Sequence, residues 1–391
     1  MRILFLAPQP FFEVRGTPLA VRSLVSELAA LGHGVDLLTY PQGAEQAIPG
    51  VRHLRSLGLP VGRVRAGPSL AKILLDIPFM LEAFWRMLFG RYAVVHAVEE
   101  AAPLAAPWAR VLGVPLVFDM DSSIPDQLQY SGFSRGGPLL FAARALEHYA
   151  LSHAAAVVTV CGSLTDTVRA SFPAARVFQI EDPPLPGTRE TAPPAQVRAL
   201  RDSLGLDDGP VVLYSGNLEP YQGVDALVDA ARDVPGVSFL FMGGEPAEVE
   251  ALRERARRQG TGARCIFSGK RPVAELPLFL SASQVLVSPR SRGTNTPFKI
   301  YTYLASGKPL VATRIAAHTQ VLDDAVAFLV EPSASGLAAG IREVLSNPDE
   351  ARRRADRGLA LLEREYTEEK YREKVRRAYA SFAERVGAGT A

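Results

Sequence analysis

Apolar runs a few residues long alternate with longer stretches of helical spacing along the first half of the chain. Residues 3–7, 35–39, 92–97, 115–119 and 156–160 are almost uninterrupted apolar segments. Between them, residues 18–31 carry an amphipathic helix pattern that ends at Gly32, and residues 139–151 carry another. A strand without polar alternation is buried on both faces, as in a parallel sheet covered by helices. The pattern therefore predicts a doubly wound α/β domain, with ligands at the C-terminal ends of its strands. A proline-rich stretch, EDPPLPGTRETAPP (181–194), then reads as an interdomain linker. After it the alternation restarts. Strands are expected at 211–215, 237–242, 263–268, 285–288, 310–313 and 328–330. Helices are expected at 224–232 and 247–258, and a charged helical tail after Leu337 to about residue 386. The expected organisation is a first domain over 1–183, a linker over 184–194 and a second domain over 195–369, with a cleft between the domains as the natural place for a ligand.

Residues 50–92 depart from this rhythm. Arg52, Arg55, Arg63, Arg65, Lys72, Arg86 and Arg91 face only Asp76 and Glu82, and the second half, SLAKILLDIPFMLEAFWRMLFGRY, is rich in Leu, Phe and Met. Pro78 and the charges argue against a membrane span. A basic amphipathic segment suits the surface of an anionic membrane. The same pattern also describes a core helix with one solvated face.

The stretch 288–313, SPRSRGTNTPFKIYTYLASGKPLVAT, has the clearest punctuation. Thr296 is placed to cap a helix that Pro297 would start. Ile300, Tyr301, Tyr303 and Leu304 form its apolar stripe. Gly307 and Pro309 end it before the strand LVAT. A helix start beside Arg290 and Arg292 reads either as a phosphate site or as a solvated basic loop. In the first half, Gly16 and Thr17 follow the first strand, Glu99 and Glu100 the run at 92–97, and Asp119, Asp121, Ser122 and Ser123 the run at 115–119.

Composition narrows the choices. At 391 residues, two domains are the natural prior. A net charge of +2 gives no global reason to expect nucleic acid, so any basic site must be local. The two cysteines, Cys161 and Cys265, stand in unrelated stretches and suggest neither a disulfide scaffold nor zinc. The opening MRILFLAP reads as a strand rather than a leader, so a cytoplasmic protein is expected.

Four segments in order, RILFLAPQPF…RGTPLAVRSLVSELAALGHGVDLLT, YSGNLEPYQGVDALVDA, GKRPVAELPLFLSASQVLVSP and GTNTPFKIYTYLASGKPLVAT, resemble the family 4 retaining glycosyltransferases of GT-B fold. The resemblance implies two Rossmann-like domains, with the acceptor on the first and a nucleotide sugar on the second. It also implies a terminal helix, here 370–391, that returns to the first domain. It implies no cofactor and no metal, so Asp119-Met120-Asp121 is read as a chance likeness to a metal motif. Several positions depart from the family pattern. Asn217 and Gln222 stand where Arg and Lys commonly grip the diphosphate. Thr294 and Thr302 stand at the E-x7-E carboxylates. Val98 ends the H-x-H motif that starts at His96, and Asp121 replaces a later histidine.

The resemblance places Gly16 and Thr17 at the cleft, Gly216, Asn217 and Gln222 at the phosphates and Lys270 and Arg271 near the base, and with the usual clamp altered the diphosphate is expected to be held by Arg290, Arg292, Lys299 and the helix start at Thr296. Thr294, Asn295, Phe298 and Thr302 line the same motif. Glu99, Asp119 and Asp121 are candidates for acceptor or sugar contacts, and no general base is assigned. The expected activity moves a sugar from a UDP- or GDP-sugar to a lipid-linked or glycan acceptor, at the inner face of a membrane if 50–92 docks there. A silent sugar-binding or scaffold subunit and a nucleotide-sugar epimerase remain as alternatives.

Overall fold

The computed structural model describes residues 1–13, 15–61, 64, 69–130 and 137–388. The chain divides into two compact units, Met1–Glu181 with Glu369–Ala391, and Asp182–Glu368.

Unit 1 runs β1 (Arg2–Ala7), α1 (Gly16–Ala30), β2 (Gly34–Thr39), β3 (Val51–Arg55), α2 (Leu70–Phe89), β4 (Val94–Val98), α3 (Ala101–Val111), β5 (Leu116–Met120), α4 (Ile124–Tyr130), α5 (Pro138–His153), β6 (Ala156–Thr159), α6 (Gly162–Ser171) and β7 (Val177–Gln179). The sheet order is β3-β2-β1-β4-β5-β6-β7 and every pairing is parallel. Successive side chains of β1 serve opposite faces, as the strand period of two requires. Leu4 and Leu6 pack with α2, α3, α5 and α6, while Ile3, Phe5 and Ala7 pack with α1. The edge strands β3 and β7 were not among the expected runs. VRHLR carries two exposed arginines, Arg52 and Arg55, and VFQ is too short to stand out.

Unit 2 runs α7 (Pro194–Ser203), β8 (Val211–Ser215), α8 (Val224–Ala230), β9 (Ser238–Met242), α9 (Pro246–Arg258), β10 (Cys265–Gly269), α10 (Leu276–Ser281), β11 (Val285–Ser288), α11 (Lys299–Ala305), β12 (Leu310–Thr313), α12 (Ala316–Thr319), β13 (Phe328–Val330), α13 (Ala334–Ser346) and α14 (Pro348–Glu365). Its parallel sheet is ordered β10-β9-β8-β11-β12-β13. The tail expected as one helical region is three helices, broken at Asn347-Pro348 and at Tyr366-Thr367. The third, α15 (Glu368–Ala388), belongs to unit 1. Its Val375, Ala378, Tyr379 and Phe382 are buried with Ile3, Phe5 and Val25. Arg372 pairs with Glu27 at 3.3 Å, and Lys374 pairs with the buried Glu181. The units meet at Glu181/Asp182 and Glu368/Glu369, and residues 184–194, expected as a linker, fall within unit 2.

Candidate active site

In unit 2 the C-terminal ends of β8, β9 and β11 are brought together by glycines. The Gly216 amide donates to Met242 O (2.9 Å), and Gly243 has φ +122°. A Cβ on Gly243 would stand 2.0 Å from Gly216 O, so only glycine permits this approach. Beyond it, the Tyr214 hydroxyl donates to Asn217 O, and Asn217 Oδ1 accepts from the Glu219 amide at 3.3 Å. Asn217 therefore shapes its own turn. The Ser291 amide donates to Tyr221 O (3.0 Å), tying this loop to the one that follows β11.

Arg290 organises that second loop from inside. It is buried, its Nε donates to Arg292 O (2.9 Å), and its two Nη groups donate to Asn295 O (3.0 Å) and Oδ1 (2.8 Å). The guanidinium lies 5.2 Å from the Tyr221 ring centroid. Beneath it, His318 is buried between Ser288 and Thr313. His318 Nδ1 donates to Thr313 O (2.7 Å), which leaves Nε2 to accept from Ser288 Oγ (2.9 Å). Burial pushes its pKa down to about 4, with the cations Arg290 and Lys299 adding to the shift, so the imidazole is neutral.

The expected helix start is corrected by this arrangement. α11 begins at Lys299, not Pro297, and Thr296 caps nothing: its hydroxyl is buried without a hydrogen-bond partner. With Asn295 held by Arg290, the chain enters the helix two residues later. That shift makes Lys299 the first residue of the helix. Its Nζ lies 3.9 Å from the Tyr214 ring centroid and 3.4 Å from Gln222 Oε1, and a Cβ on Gly216 would stand 2.7 Å away. Burial and Arg290 hold the amine well below the usual lysine range. Among the described residues no carboxylate forms an ion pair with it.

Gly216, Gln222 and Lys299 are thus assembled, with Arg290 committed to the loop rather than presented to a ligand. Other expected positions lie elsewhere. Arg292 is exposed. Thr294 offers its carbonyl to Gln320 Nε2 (2.8 Å), and Phe298 is the residue preceding α11. Thr302 is buried and its Oγ1 accepts from the Leu185 amide (3.3 Å). Lys270 pairs with Glu245 at 2.5 Å, and Arg271 lies 3.7 Å from Glu275. Tyr214 and Tyr303 are contributors that the sequence pattern does not reveal. Tyr303 accepts the Ser215 amide at 2.8 Å, yet both tyrosines read as core residues.

In unit 1, Gly16 and Thr17 open α1. Asp119 is buried and bonded to His96 Nε2 (2.8 Å), whose Nδ1 accepts from the Tyr379 hydroxyl (2.6 Å). This commits Asp119 to holding α15 and removes it from the acceptor candidates. Glu99 has φ +48° and accepts from Ser122 Oγ (3.1 Å) and Gln127 Nε2 (2.7 Å). Asp121 is half-buried after β5. A further group lies at the ends of β2 and β4. Lys72 pairs with Glu100, and the Tyr40 hydroxyl donates to Asp76 (2.5 Å). Burial pushes the Glu100 carboxyl up, against the Lys72 ammonium, and Glu99 and Asp76 add to the rise. Among the described residues no three His, Cys, Asp or Glu side chains converge as metal ligands would.

Two family models match this chain, a glycosyl transferase 4-like domain over residues 15–183 and glycosyl transferases group 1 over residues 196–359. The chain belongs to the family 4 glycosyltransferases. Similar proteins include the alpha-D-kanosaminyltransferase of Streptomyces kanamyceticus, 27% identical over 288 residues that cover 70% of this chain and 74% of that one. A GDP-mannose-dependent alpha-(1-6)-phosphatidylinositol monomannoside mannosyltransferase of Mycolicibacterium smegmatis is 31% identical over 191 residues, 46% of this chain and 49% of that one. Among solved structures, Anabaena Alr3699/HepE in complex with UDP-glucose matches with TM-score 0.78 at 18% identity, covering 97% of this chain and 100% of that chain. Each unit of this glycosyltransferase is a Rossmann-like parallel α/β domain, and its fold is GT-B.

Proposed function

We propose that this glycosyltransferase moves a sugar, with retention of configuration, from a UDP- or GDP-sugar to a lipid-linked or glycan acceptor in the cytoplasm, without a metal. The observation that carries the reading is Lys299. A half-buried lysine whose ammonium is disfavoured by desolvation and has no acidic partner, set at the strand ends of a Rossmann-like unit, is costly unless an anion completes it. A nucleotide diphosphate supplies that anion. Gly216 leaves the space in front of the amine open, and Gln222 adds a polar contact. In the transfer itself, the anomeric carbon–oxygen bond to the diphosphate breaks, a bond to the acceptor hydroxyl forms, and that hydroxyl's proton passes to the departing diphosphate. Stabilising the leaving group and holding the hydroxyl in place are the protein's tasks, and neither needs a nucleophilic side chain. Glu99 at the tip of β4 and Asp121 after β5 are the remaining carboxylate candidates for holding the acceptor.

The test is calorimetric titration with UDP- and GDP-sugars, followed by release of free nucleotide in the presence of polyprenyl-phosphate-linked sugars. Binding and acceptor-dependent release support the proposal. Binding without release assigns a silent sugar-binding subunit, and binding of neither nucleotide ends the transferase reading.

A further inference from the structure

The expected membrane contact of residues 50–92 rested on basic residues, and the structure revises that basis. Arg63 and Arg65 lie outside the described residues. Lys72 is paired inward with Glu100, and Arg86 is paired with Glu82. The helix α2 buries Leu75, Phe79, Ala83 and Met87 against the sheet, pairs its charged side chains at partly buried positions, and leaves a second apolar face exposed. Every exposed residue of α2 is apolar, among them Leu70, Ile73, Ile77, Leu81, Trp85 and Phe89. The distribution is also confined. Among the described residues, all the exposed large hydrophobic side chains of the chain fall between Leu57 and Leu146, and none lies in unit 2.

Most of them lie on α2, α3 and α5, whose inner sides pack on the same side of the sheet, with Leu4 and Leu6. Phe84 of α2 meets Trp108 of α3 with ring centroids 4.8 Å apart, so the apolar surface is continuous between those helices. The exposed ionic groups of the three helices have one sign. Arg110 on α3 and Arg144 on α5 are exposed, as is Arg91 just beyond α2, whereas Asp76, Glu82 and Glu147 are all partly buried.

We propose that this α2–α3–α5 face seats unit 1 on an anionic phospholipid surface. A second copy meeting the same face would set arginine against arginine with no exposed carboxylate to answer it. A negatively charged leaflet accepts both the apolar stripe and the arginines. α2 is 20 residues long and lies in the interface rather than across it; no helix among the described residues is long and apolar enough to span. The inference does not depend on glycosyl transfer.

The chain contains two tryptophans, Trp85 and Trp108, and both are on this face, 58% and 45% exposed. Their intrinsic emission therefore reports the contact directly. Vesicles of phosphatidylcholine with phosphatidylglycerol are expected to shift the emission to the blue and to carry the protein in flotation. Added salt should weaken both effects. The exposed pair Ile77→Glu and Leu81→Glu, which leaves the folded core untouched, should weaken partition at least about tenfold. Its thermal transition and its nucleotide-sugar titration should match those of the unmodified chain. No blue shift and no flotation at low salt would overturn the proposal. Equal partition into pure phosphatidylcholine would overturn its anionic part. A concentration-dependent dimer abolished by Ile77→Glu, with no vesicle binding, would assign the face to a second copy instead. A chain that binds vesicles yet no nucleotide sugar would keep the docking face and end the transferase reading.

Discussion

Replacing Lys299 with Met keeps the length of the side chain and removes its charge. In the free protein the ammonium is disfavoured by burial and by Arg290. A diphosphate reverses both effects, so binding raises the amine's pKa and draws in a proton. One charge-assisted hydrogen bond at such a site is worth about 1.5–3 kcal/mol. The variant should therefore bind its nucleotide sugar roughly 10- to 150-fold more weakly. The deficit should be largest at pH values below the free-state pKa of the amine. It should shrink as pH rises through the bound-state pKa, where the unmodified chain loses the ammonium too. Calorimetry in buffers of different ionisation enthalpy measures the proton uptake, which should vanish in Lys299→Met. The substitution Gln222→Lys offers a converse, since Gln222 Oε1 is 3.4 Å from Nζ. In the Lys299→Met background it should restore most of the affinity. Affinity unchanged within about twofold in Lys299→Met, or proton uptake that persists without the amine, would refute the argument.

Three further outcomes follow from geometry. Gly243→Ala places a methyl 2.0 Å from Gly216 O at φ +122°, and should cost on the order of 1–3 kcal/mol of unit 2 stability in denaturant titration while weakening donor binding. Tyr379→Phe leaves the buried His96 Nδ1 without its donor, and should cost about 1–3 kcal/mol, read as a lower Tm for the transition that includes unit 1. Burial raises the Glu147 carboxyl to about 6, against hydrogen bonds from the Ile124 amide and Ser123 Oγ. Because the folded value exceeds the unfolded one, this group's contribution is full below about pH 4.5 and is lost as pH rises through about 6, a swing on the order of 2 kcal/mol. In Glu147→Gln that part of the stability–pH profile should be flat.

The strands of both sheets were legible because a run such as ILFLA or VVLYS has no polar face and so has one kind of environment open to it. β3 escaped because it is an edge strand, where the exposed Arg52 and Arg55 are tolerated and break up the apolar run. The site was only half legible. Its location after β11 followed from punctuation, but the roles within it did not. Nothing in SPRSRGTNTPFK says that Arg290 turns inward to bond Asn295 while Lys299 turns toward Tyr214. Both are cations near a loop, and only the fold's closing hydrogen bonds separate scaffold from ligand contact. Likewise α2 reads from its pattern as a helix with one apolar face. In the structure it has two, an inner one of Leu75, Phe79, Ala83 and Met87 and an exposed one of Ile73, Ile77, Leu81 and Trp85, with Lys72 and Asp76 held by Glu100 and Tyr40 at strand ends far away in sequence.

The return of α15 to unit 1 also sets an order in time. His96 and Tyr379 are 283 residues apart, and the whole of unit 2 is synthesised between them. At roughly 5–20 residues per second on the ribosome, the patch around Phe5 that Tyr379 and Phe382 later cover stays open for tens of seconds after its own sheet has emerged. Unit 1 thus begins first and finishes last. Chaperone dependence and aggregation during expression should track this interval, and slowing synthesis within unit 2 should lengthen it without changing a single native contact.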